Sequence, residues 1–301
     1  MTVDRAWANA GIGEAARAAL AQGLPASSVW SLLMGVLAER AARRTPPGLL
    51  EQWKRDPFTR PAAIDQRTLV ALDAHLLAAA ENFEAIELSP LAPLGACSVV
   101  GPTSQNKIVS ALRGTEVVSD PTNVLALECG RRLGENGDEV VRLATCHRCV
   151  RAQAVPKRSG YAPHFRIFCL ATAARERGDN AVIVEALTEH IATHLAALAR
   201  LERHGYAFPE ACVKVLATPA RAEIADKVAA GVCGVRVVRD VLDHAYYDGL
   251  RFMVSFSTAQ GEVPLIDGGA FDWLGKLSSN RKYVYVASGM GAQLAAHLFR
   301  V

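Results

Sequence analysis

The sequence lacks the features that mark secreted, membrane-spanning or strongly nucleic-acid-binding proteins. Its formal net charge is only +3 over 301 residues, which is too small to predict binding to a nucleic acid. The N-terminal segment contains acidic residues and no apolar core of a signal peptide. The apolar run from 29 to 37 is too short to cross a bilayer. We therefore expect a cytoplasmic protein that does not bind membranes.

The sequence also lacks a disulfide framework and a complete set of zinc ligands. Its seven cysteines occur without a secretory signal, which favours reduced thiols. Cys146 and Cys149 have metal-like spacing, but no second pair of Cys or His ligands with such spacing accompanies them. If this segment is a strand, alternation places the two thiols on opposite faces. We expect buried free thiols there and no metal site.

The chain divides into two regions near residue 65. Residues 1–65 are alanine-rich with helical periodicity, and prolines in 45–65 indicate a linker that carries a short helix. This N-terminal extension has too little apolar surface to fold alone. Residues 66–301 alternate between helix and strand, and hairpins joined to flanking helices predict an α+β fold with an antiparallel sheet.

The periodicity of the second region predicts the positions of its main elements. Between Glu202 and Tyr246 there is room only for a strand, a helix and a connection. A polar turn at 156–160 separates two of the strands. The predicted helices cover 68–82, 123–133 and 181–202, and the predicted strands cover 85–88, 140–150, 164–172, 212–216, 250–256 and 283–287.

A series of short motifs, in this order, resembles the catalytic domain of histidyl-tRNA synthetase and its regulatory paralogue in histidine biosynthesis. The likeness runs from about residue 70 to 298 and implies a class II synthetase fold. Leu88-Ser89-Pro90 resembles motif 1, and Ala245-Tyr246-Tyr247-Asp248-Gly249 is the clearest local match. The other motifs are Ser119-Asp120-Pro121-Thr122, Cys149-Val150-Arg151-Ala152-Gln153, Gly268-Gly269-Ala270-Phe271-Asp272 and Ser288-Gly289-Met290-Gly291.

The resemblance implies a pocket for an amino acid. Asp120 and Thr122 would hold its α-amino group, since a desolvated ammonium needs a charge-assisted bond; Asp120 is equally suited to cap a helix. Arg151 would be the catalytic residue that grips the carboxylate and the α-phosphate of ATP. If the two tyrosines lie in a strand, one ring points inward and the other outward. The remaining substrate-binding candidates are Gln153, Tyr246, Tyr247, Gly268 and Gly269.

The resemblance also implies ATP with Mg²⁺ as a cofactor, but the cations for it are depleted. Leu294 stands where motif 3 has its arginine, Leu242 stands where a second arginine is expected, and Ala270 replaces a third. Fixed cations normally stabilise the charge that develops at phosphorus. The candidates for nucleotide binding are Arg151, Phe165, Arg166, Gly289 and Gly291, where Phe165 either stacks on a purine or is a core aromatic.

The resemblance leaves three hypotheses for function. The first is a paralogue that binds an amino acid or its analogue in a regulatory or biosynthetic role, with a protein partner. The second is an amino-acid ligase that forms an aminoacyl-adenylate and transfers it to a non-tRNA acceptor such as a carrier protein. The third is a dimeric scaffold without a ligand. In each case we expect a homodimer through motif 1, and no tRNA charging, because an anticodon-binding domain and an insertion domain are not found.

Overall fold

The computed structural model describes residues 3–137, 139–155, 160–258 and 261–301. An eight-stranded sheet forms its centre, a three-stranded sheet lies beside it, and helices flank both. The helices are α1 (Val3–Asn9), α2 (Glu14–Ala18), α3 (Ala26–Ala42), α4 (Pro46–Arg55), α5 (Gln66–Ala79), α6 (Pro121–Glu135), α7 (Ala181–Glu202), α8 (Ala222–Gly231), α9 (Trp273–Ser278) and α10 (Ala292–Leu298).

The large sheet has the strand order β1-β5-β6-β11-β10-β9-β7-β8, and the small sheet has the order β2-β4-β3. Neighbouring strands are antiparallel except for the outer pairs β1–β5 and β7–β8, which are parallel. The α+β prediction is confirmed, with a mixed sheet. The strands are β1 (Glu84–Ala85), β2 (Leu91–Pro93), β3 (Ser110–Ala111), β4 (Thr115–Val117), β5 (Val141–Val150), β6 (His164–Arg175), β7 (Cys212–Ala217), β8 (Arg236–Val241), β9 (Leu250–Thr258), β10 (Gly261–Phe271) and β11 (Tyr283–Met290).

Alternation along the central strands gives the large sheet two apolar faces. On what we term the back face, α5, α7, α8 and α10 cover residues such as Phe168 and Phe252. On the front face, α6 and α9 cover residues such as Ala171 and Tyr285. Both faces are covered, so the central strands are buried on both sides.

Helix α6 begins at a capped N-terminus on the front face. Asp120 has extended backbone angles and its side chain accepts a hydrogen bond from the Thr122 backbone N–H, and Pro121 occupies the first turn, where no N–H is needed. The Tyr285 hydroxyl donates to the Thr122 carbonyl at 2.6 Å and ties this turn to β11. Local capping and one long-range bond therefore fix the start of α6, and with it Asp120, against the central strand β11.

Helix α7 is long and apolar enough to cross a membrane by length and composition alone. In the structure it packs along the back of the sheet between α5 and α8. Its buried stripe recurs at three- and four-residue spacing, as expected for a core helix of a globular protein. The buried members are Val182, Ile183, Ala186, Leu187, His190, Ile191, His194, Ala197, Leu198 and Leu201.

The N-terminal region packs loosely on the rest of the chain. None of the described residues of α2, α3 and α4 is buried. The linker after α4 contacts the large sheet through His164, whose Nε2 lies 2.8 Å from the Arg60 carbonyl. The predicted boundary near residue 65 agrees with the start of α5, although the division into separate domains stays a prediction.

Several predicted boundaries were wrong. The strand expected at 85–88 has only the two residues of β1, because the chain leaves β5 after Ile86, whose N–H still bonds the Ala144 carbonyl. The segment between Glu202 and Tyr246 contains a second strand, β8, which pairs in parallel with β7. Most of the turn predicted at 156–160 lies outside the described residues.

Candidate functional site

A cavity of about 540 Å³ opens where β6, β10 and β11 meet the start of α6 and the turn before β9. It is the place where the candidate residues converge, although they are spread over about 170 positions of the sequence. Gly269 is the one candidate that does not line it. The candidates that do are Asp120, Thr122, Arg151, Gln153, Phe165, Arg166, Tyr246, Tyr247, Gly268, Gly289 and Gly291.

The two carboxylate oxygens of Asp120 have different surroundings, since one caps α6 and the other lies near Tyr246 and Arg151. Oδ1 accepts hydrogen bonds from the Thr122 backbone N–H at 3.0 Å and from the Thr122 hydroxyl at 2.7 Å. Oδ2 lies 3.5 Å from the Tyr246 hydroxyl and 4.0 Å from Nη2 of Arg151. Because the cap uses only one oxygen fully, the other remains able to accept a bond from a ligand.

Arg151 is held in place by contacts that leave part of its guanidinium open to the cavity. Its Nε donates to the Ser119 carbonyl at 3.0 Å, and the guanidinium carbon lies 5.1 Å from the centre of the Phe165 ring. The side chain is 37% exposed. The ring of Phe165 therefore serves as a cation–π partner here.

Tyr246 and Tyr247 lie in a turn, and both of their rings line the cavity. The two tyrosines do not lie in a strand, because β9 begins at Leu250, where the predicted strand 250–256 also begins, so alternation along a strand does not separate their rings. The two rings meet edge to face at 5.0 Å, and each contacts Phe271. Burial, with neighbouring carboxylates, raises the pKa of both hydroxyls, so both stay protonated and can donate.

Asp267 organises the far side of the cavity. It accepts from the Tyr247 hydroxyl at 2.8 Å and forms a two-point ion pair with Arg251, through Nε at 2.9 Å and Nη2 at 2.7 Å. Nη1 of Arg251 lies 3.0 Å from Nε2 of His244. The bond to Asp267 raises the pKa of Arg251. The sequence analysis missed Asp267. It precedes Gly269 by two residues and Phe271 by four, so alternation along β10 puts all three on one face of the sheet.

Arg166 reaches the cavity already paired. Its Nε and Nη2 donate to one oxygen of Asp73 on α5, at 2.9 and 2.5 Å. Burial would lower the pKa of Arg166, but the bond to Asp73 outweighs it and raises the pKa. Two arginines of the cavity are therefore already paired, Arg166 with Asp73 outside the cavity and Arg251 with Asp267 inside it. The third, Arg151, is more loosely placed beside Asp120.

No protein-family model matches the sequence, and no curated protein matches it. Solved structures do resemble this chain. An ATP phosphoribosyltransferase regulatory subunit/histidyl-tRNA synthetase from Bacillus halodurans C has a TM-score of 0.63 at 15% identity, covering 81% of this chain and 83% of that chain. A histidine–tRNA ligase subunit from Alicyclobacillus acidocaldarius has a TM-score of 0.59 at 12% identity. The match covers 80% of this chain and 96% of that chain. A putative threonyl-tRNA synthetase from Aeropyrum pernix has a TM-score of 0.58 at 11% identity. The match covers 77% of this chain and 58% of that chain.

The core of this chain has the class II aminoacyl-tRNA synthetase fold. The recognition of that fold from ordered motifs is confirmed. Because the threonyl enzyme superposes about as well as the histidine ligase subunit, the fold does not select an amino acid.

Three positions at which the family resemblance implies an arginine carry apolar residues. Of these, Leu294 lines the cavity. Leu242 is buried at 4% exposure and lies outside this cavity, and Ala270 is buried on the back face. Among the described residues, the arginines that line the cavity are Arg151, Arg166 and Arg251.

The glycines of this fold permit contacts between protein segments. A Cβ on Gly269 would stand 2.5 Å from the Tyr247 ring and 2.3 Å from the Leu250 carbonyl oxygen. A Cβ on Gly268 would stand 2.4 Å from that of Ser288. Gly269 does not line the cavity, because the Tyr247 ring lies against it, so its role in ligand binding stays a prediction.

The Cys146-to-Cys149 segment does not assemble a metal site. Cys146 packs into the back-face core, and Cys149 packs into a separate cluster with Ala92, Ala96 and Val118. Both thiols are free and buried, and burial raises the pKa of each. No group of three or more His, Cys, Asp or Glu side chains in the described part of the chain is arranged to hold a metal ion.

Proposed function

We propose that the cavity binds a free amino acid, or a close analogue, and that the protein acts in the cytoplasm in a regulatory or biosynthetic role without charging tRNA. The observation that supports this most strongly is the placement of opposite charges at one end of the cavity. Oδ2 of Asp120 and Nη2 of Arg151 lie 4.0 Å apart, too far for a strong mutual bond.

This spacing suits the two charges of an amino acid backbone. The ammonium would bond to Oδ2 of Asp120, and the carboxylate would meet the open Nη groups of Arg151. Partial burial makes both contacts stronger than in water, because the effective dielectric constant is lower. The ligand side chain would then extend toward Tyr246 and Tyr247, where two protonated hydroxyls and Asp267 supply polar contacts.

The described residues fit a triphosphate poorly. Arg166 and Arg251 already neutralise Asp73 and Asp267, and Leu294 is apolar. A nucleotide would have to break an ion pair to recruit either arginine, which costs part of the binding free energy. Amino-acid activation needs fixed cations at the developing charge, so the proposed role involves no step through ATP and Mg²⁺.

A regulatory role implies a protein partner that responds to the amino acid. The solved structure with a regulatory-subunit name shares the fold and covers most of both chains, which supports this extension of the proposal. In such a role the bound amino acid shifts the population of two states through its different affinity for each.

The test is amino-acid binding by calorimetry, combined with amino-acid-dependent ATP–pyrophosphate exchange on the same preparation. We expect one amino acid to bind with no exchange. Matched variants are Asp120→Asn, which keeps a capping side chain but removes the charge, and Arg67→Gln, which removes an exposed arginine far from the cavity. Binding that is equal in both variants would contradict the proposal.

One observation favours a second candidate, an amino-acid ligase that passes an adenylate to a non-tRNA acceptor. The cavity continues past Phe165 to Gly289 and Gly291, beyond the space that an amino acid beside Asp120 would fill. Exchange with a single amino acid, abolished by Arg151→Ala, would establish this ligase and overturn the regulatory proposal. Neither binding nor exchange would leave only a scaffold.

A further inference from the structure

The far side of the cavity, toward which a ligand side chain would extend, carries an ion pair and not a single charge. Arg251 on β9 and Asp267 on β10 are joined through Nε to Oδ1 at 2.9 Å and through Nη2 to Oδ2 at 2.7 Å. The side chain of Arg251 is 19% exposed and that of Asp267 is 43% exposed. The two charges therefore cancel each other within the cavity wall.

Arg251 is held in this pair by further contacts with the protein. Its Nη1 lies 3.0 Å from Nε2 of His244, which must accept the hydrogen bond because a guanidinium nitrogen can only donate. The guanidinium carbon lies 5.3 Å from the centre of the Tyr247 ring, within the range of a cation–π contact. The wall of the cavity therefore fixes the charge of Arg251 beside Asp267.

Asp267 keeps one hydrogen-bonding position for a ligand. A carboxylate offers about four lone pairs. Oδ1 accepts from the Tyr247 hydroxyl at 2.8 Å and from Nε of Arg251, whereas Oδ2 accepts from Nη2 of Arg251 alone. Oδ2 can therefore accept one further N–H or O–H group from a ligand side chain.

Aromatic rings connect this ion pair with the place of the amino-acid backbone. The Tyr246 hydroxyl lies 3.5 Å from Oδ2 of Asp120, and the Tyr247 hydroxyl donates to Asp267. The two rings meet at 5.0 Å between centres, and each contacts Phe271. A side chain that extends from Asp120 toward Asp267 therefore passes between apolar walls, which leave little room for water around it.

We propose that the Arg251–Asp267 pair restricts the ligand to amino acids whose side chain is uncharged and carries a hydrogen-bond donor. A basic side chain would bring a second cation beside Arg251, and an acidic one a second anion beside Asp267. Like charges repel more strongly where water is excluded. A wholly apolar side chain would leave Oδ2 of Asp267 without the bond that water supplied. The inference rests on the proposed function, because it concerns the side chain of the same amino acid.

The first test is calorimetry of the full wild-type chain with each of the proteinogenic amino acids. We expect the tightest ligand to be uncharged and to carry a side-chain donor. Lysine, arginine, aspartate and glutamate should bind at least about tenfold more weakly, which corresponds to roughly one charge-assisted hydrogen bond.

The second test leaves one charge of the pair without its partner. Arg251→Met removes the cation and keeps an unbranched side chain, so lysine or arginine should bind about tenfold more tightly than to the wild type. Asp267→Asn removes the anion, so aspartate or glutamate should gain by about the same factor. In the double variant neither gain should remain, because neither charge is present.

The matched controls break another ion pair of the same sheet. Lys214 and Glu262 are 29% and 50% exposed and do not line the cavity. Lys214→Met and Glu262→Gln should therefore leave the order of amino-acid affinities unchanged. Thermal unfolding checks that every variant is folded, and if a single variant is not, the wild-type order and the double variant decide.

The outcomes separate this inference from the proposed function. A charged or wholly apolar amino acid as the tightest wild-type ligand would overturn the inference and leave the proposed function standing. Folded single variants that bind charged amino acids no better than the wild type does would have the same meaning. Absence of binding by every amino acid would overturn the proposed function, and the inference with it.

Discussion

The two faces of the large sheet differ in the polar groups they hold, which are charged and accessible on one face and buried on the other. On the front face, charged groups such as Asp120, Arg151 and Asp267 line a cavity that solvent can enter. On the back face, His190 and His194 of α7 are fully buried against β11, where Nδ1 of His190 and Nε2 of His194 each lie 2.9 Å from the Ser288 hydroxyl.

The difference shows where each kind of polar group can persist. A buried imidazole stays neutral, because an unpaired charge in the core is too costly. Nδ1 of His194 is buried without a hydrogen-bond partner, so protonation there would be especially unfavourable. Burial lowers the pKa of His194 to about 3, and burial next to His194 lowers that of His190 as well. The back-face histidines are therefore held neutral, whereas Asp120 and Arg151 on the front face remain charged and open to a ligand.

The largest expected effect concerns the back face and pH. Below about pH 6.5 the unfolded chain binds protons on both histidines while the folded chain does not, so stability falls as pH falls toward the folded pKa values. The slope should reach about 1.4 kcal/mol per pH unit for each histidine. Urea unfolding between pH 7 and pH 4 measures it, and His194→Gln should flatten the slope without changing amino-acid affinity. An unchanged slope would show that His194 does not stay neutral.

The next effect should come from Asp120→Asn on the front face. Loss of the charged bond to the ligand ammonium should weaken amino-acid binding by about 1.5–3 kcal/mol. Stability should change little, because asparagine caps a helix as well as aspartate does. Calorimetry and thermal unfolding measure the two quantities, with Asp272→Asn as the control outside the cavity. A large loss of stability with full affinity would assign Asp120 to the cap alone.

Arg151→Gln should have a somewhat smaller effect. It removes the carboxylate contact, and about a tenfold loss of affinity is expected for a partly exposed charge-assisted bond. Arg151→Lys should restore part of it, since the charge returns without the planar fork. Calorimetry with one amino acid measures all three proteins. If lysine binds no better than glutamine, charge at this position does not hold the ligand.

The smallest effect on amino-acid binding is expected for Asp73→Asn. Asp73 lies on the back-face helix α5 and pairs with Arg166, which lines the cavity. The substitution releases Arg166 from its ion pair, so stability should fall by about 1–2 kcal/mol, because a half-buried guanidinium loses its partner. ATP affinity should rise several-fold, while amino-acid affinity stays constant. Urea unfolding and nucleotide titration check this. Unchanged ATP affinity would show that pairing with Asp73 is not what restrains phosphate binding.

Elements with a local signal were predicted well from the sequence. Helix α7 has the predicted bounds. Asp120 caps α6, which was one of the two roles predicted for it. The edge strands were predicted poorly, because β1 and β8 form through pairing with distant strands. The start of β9 at Leu250 was predicted, but the sequence did not show that the preceding turn brings both tyrosines to the cavity.

The candidate site followed the same division. The ordered motifs identified most of the residues that line the cavity, because each motif is a short segment with its own composition. They could not show that Arg166 is neutralised, since its partner Asp73 is 93 residues away. They also missed Asp267, whose role depends on a side chain 16 residues before it in the neighbouring strand.

By itself, the sequence determined the α+β class, the capped start of α6 and the buried stripe of α7, because these follow from local periodicity and composition. Only the tertiary structure decided which charges remain available. Arg151 and Asp120 stand 4.0 Å apart, whereas Arg166 and Arg251 are bound to carboxylates at 2.5–2.9 Å. The physical reason is that an ion pair depends on distances between side chains, which strand register and helix packing set.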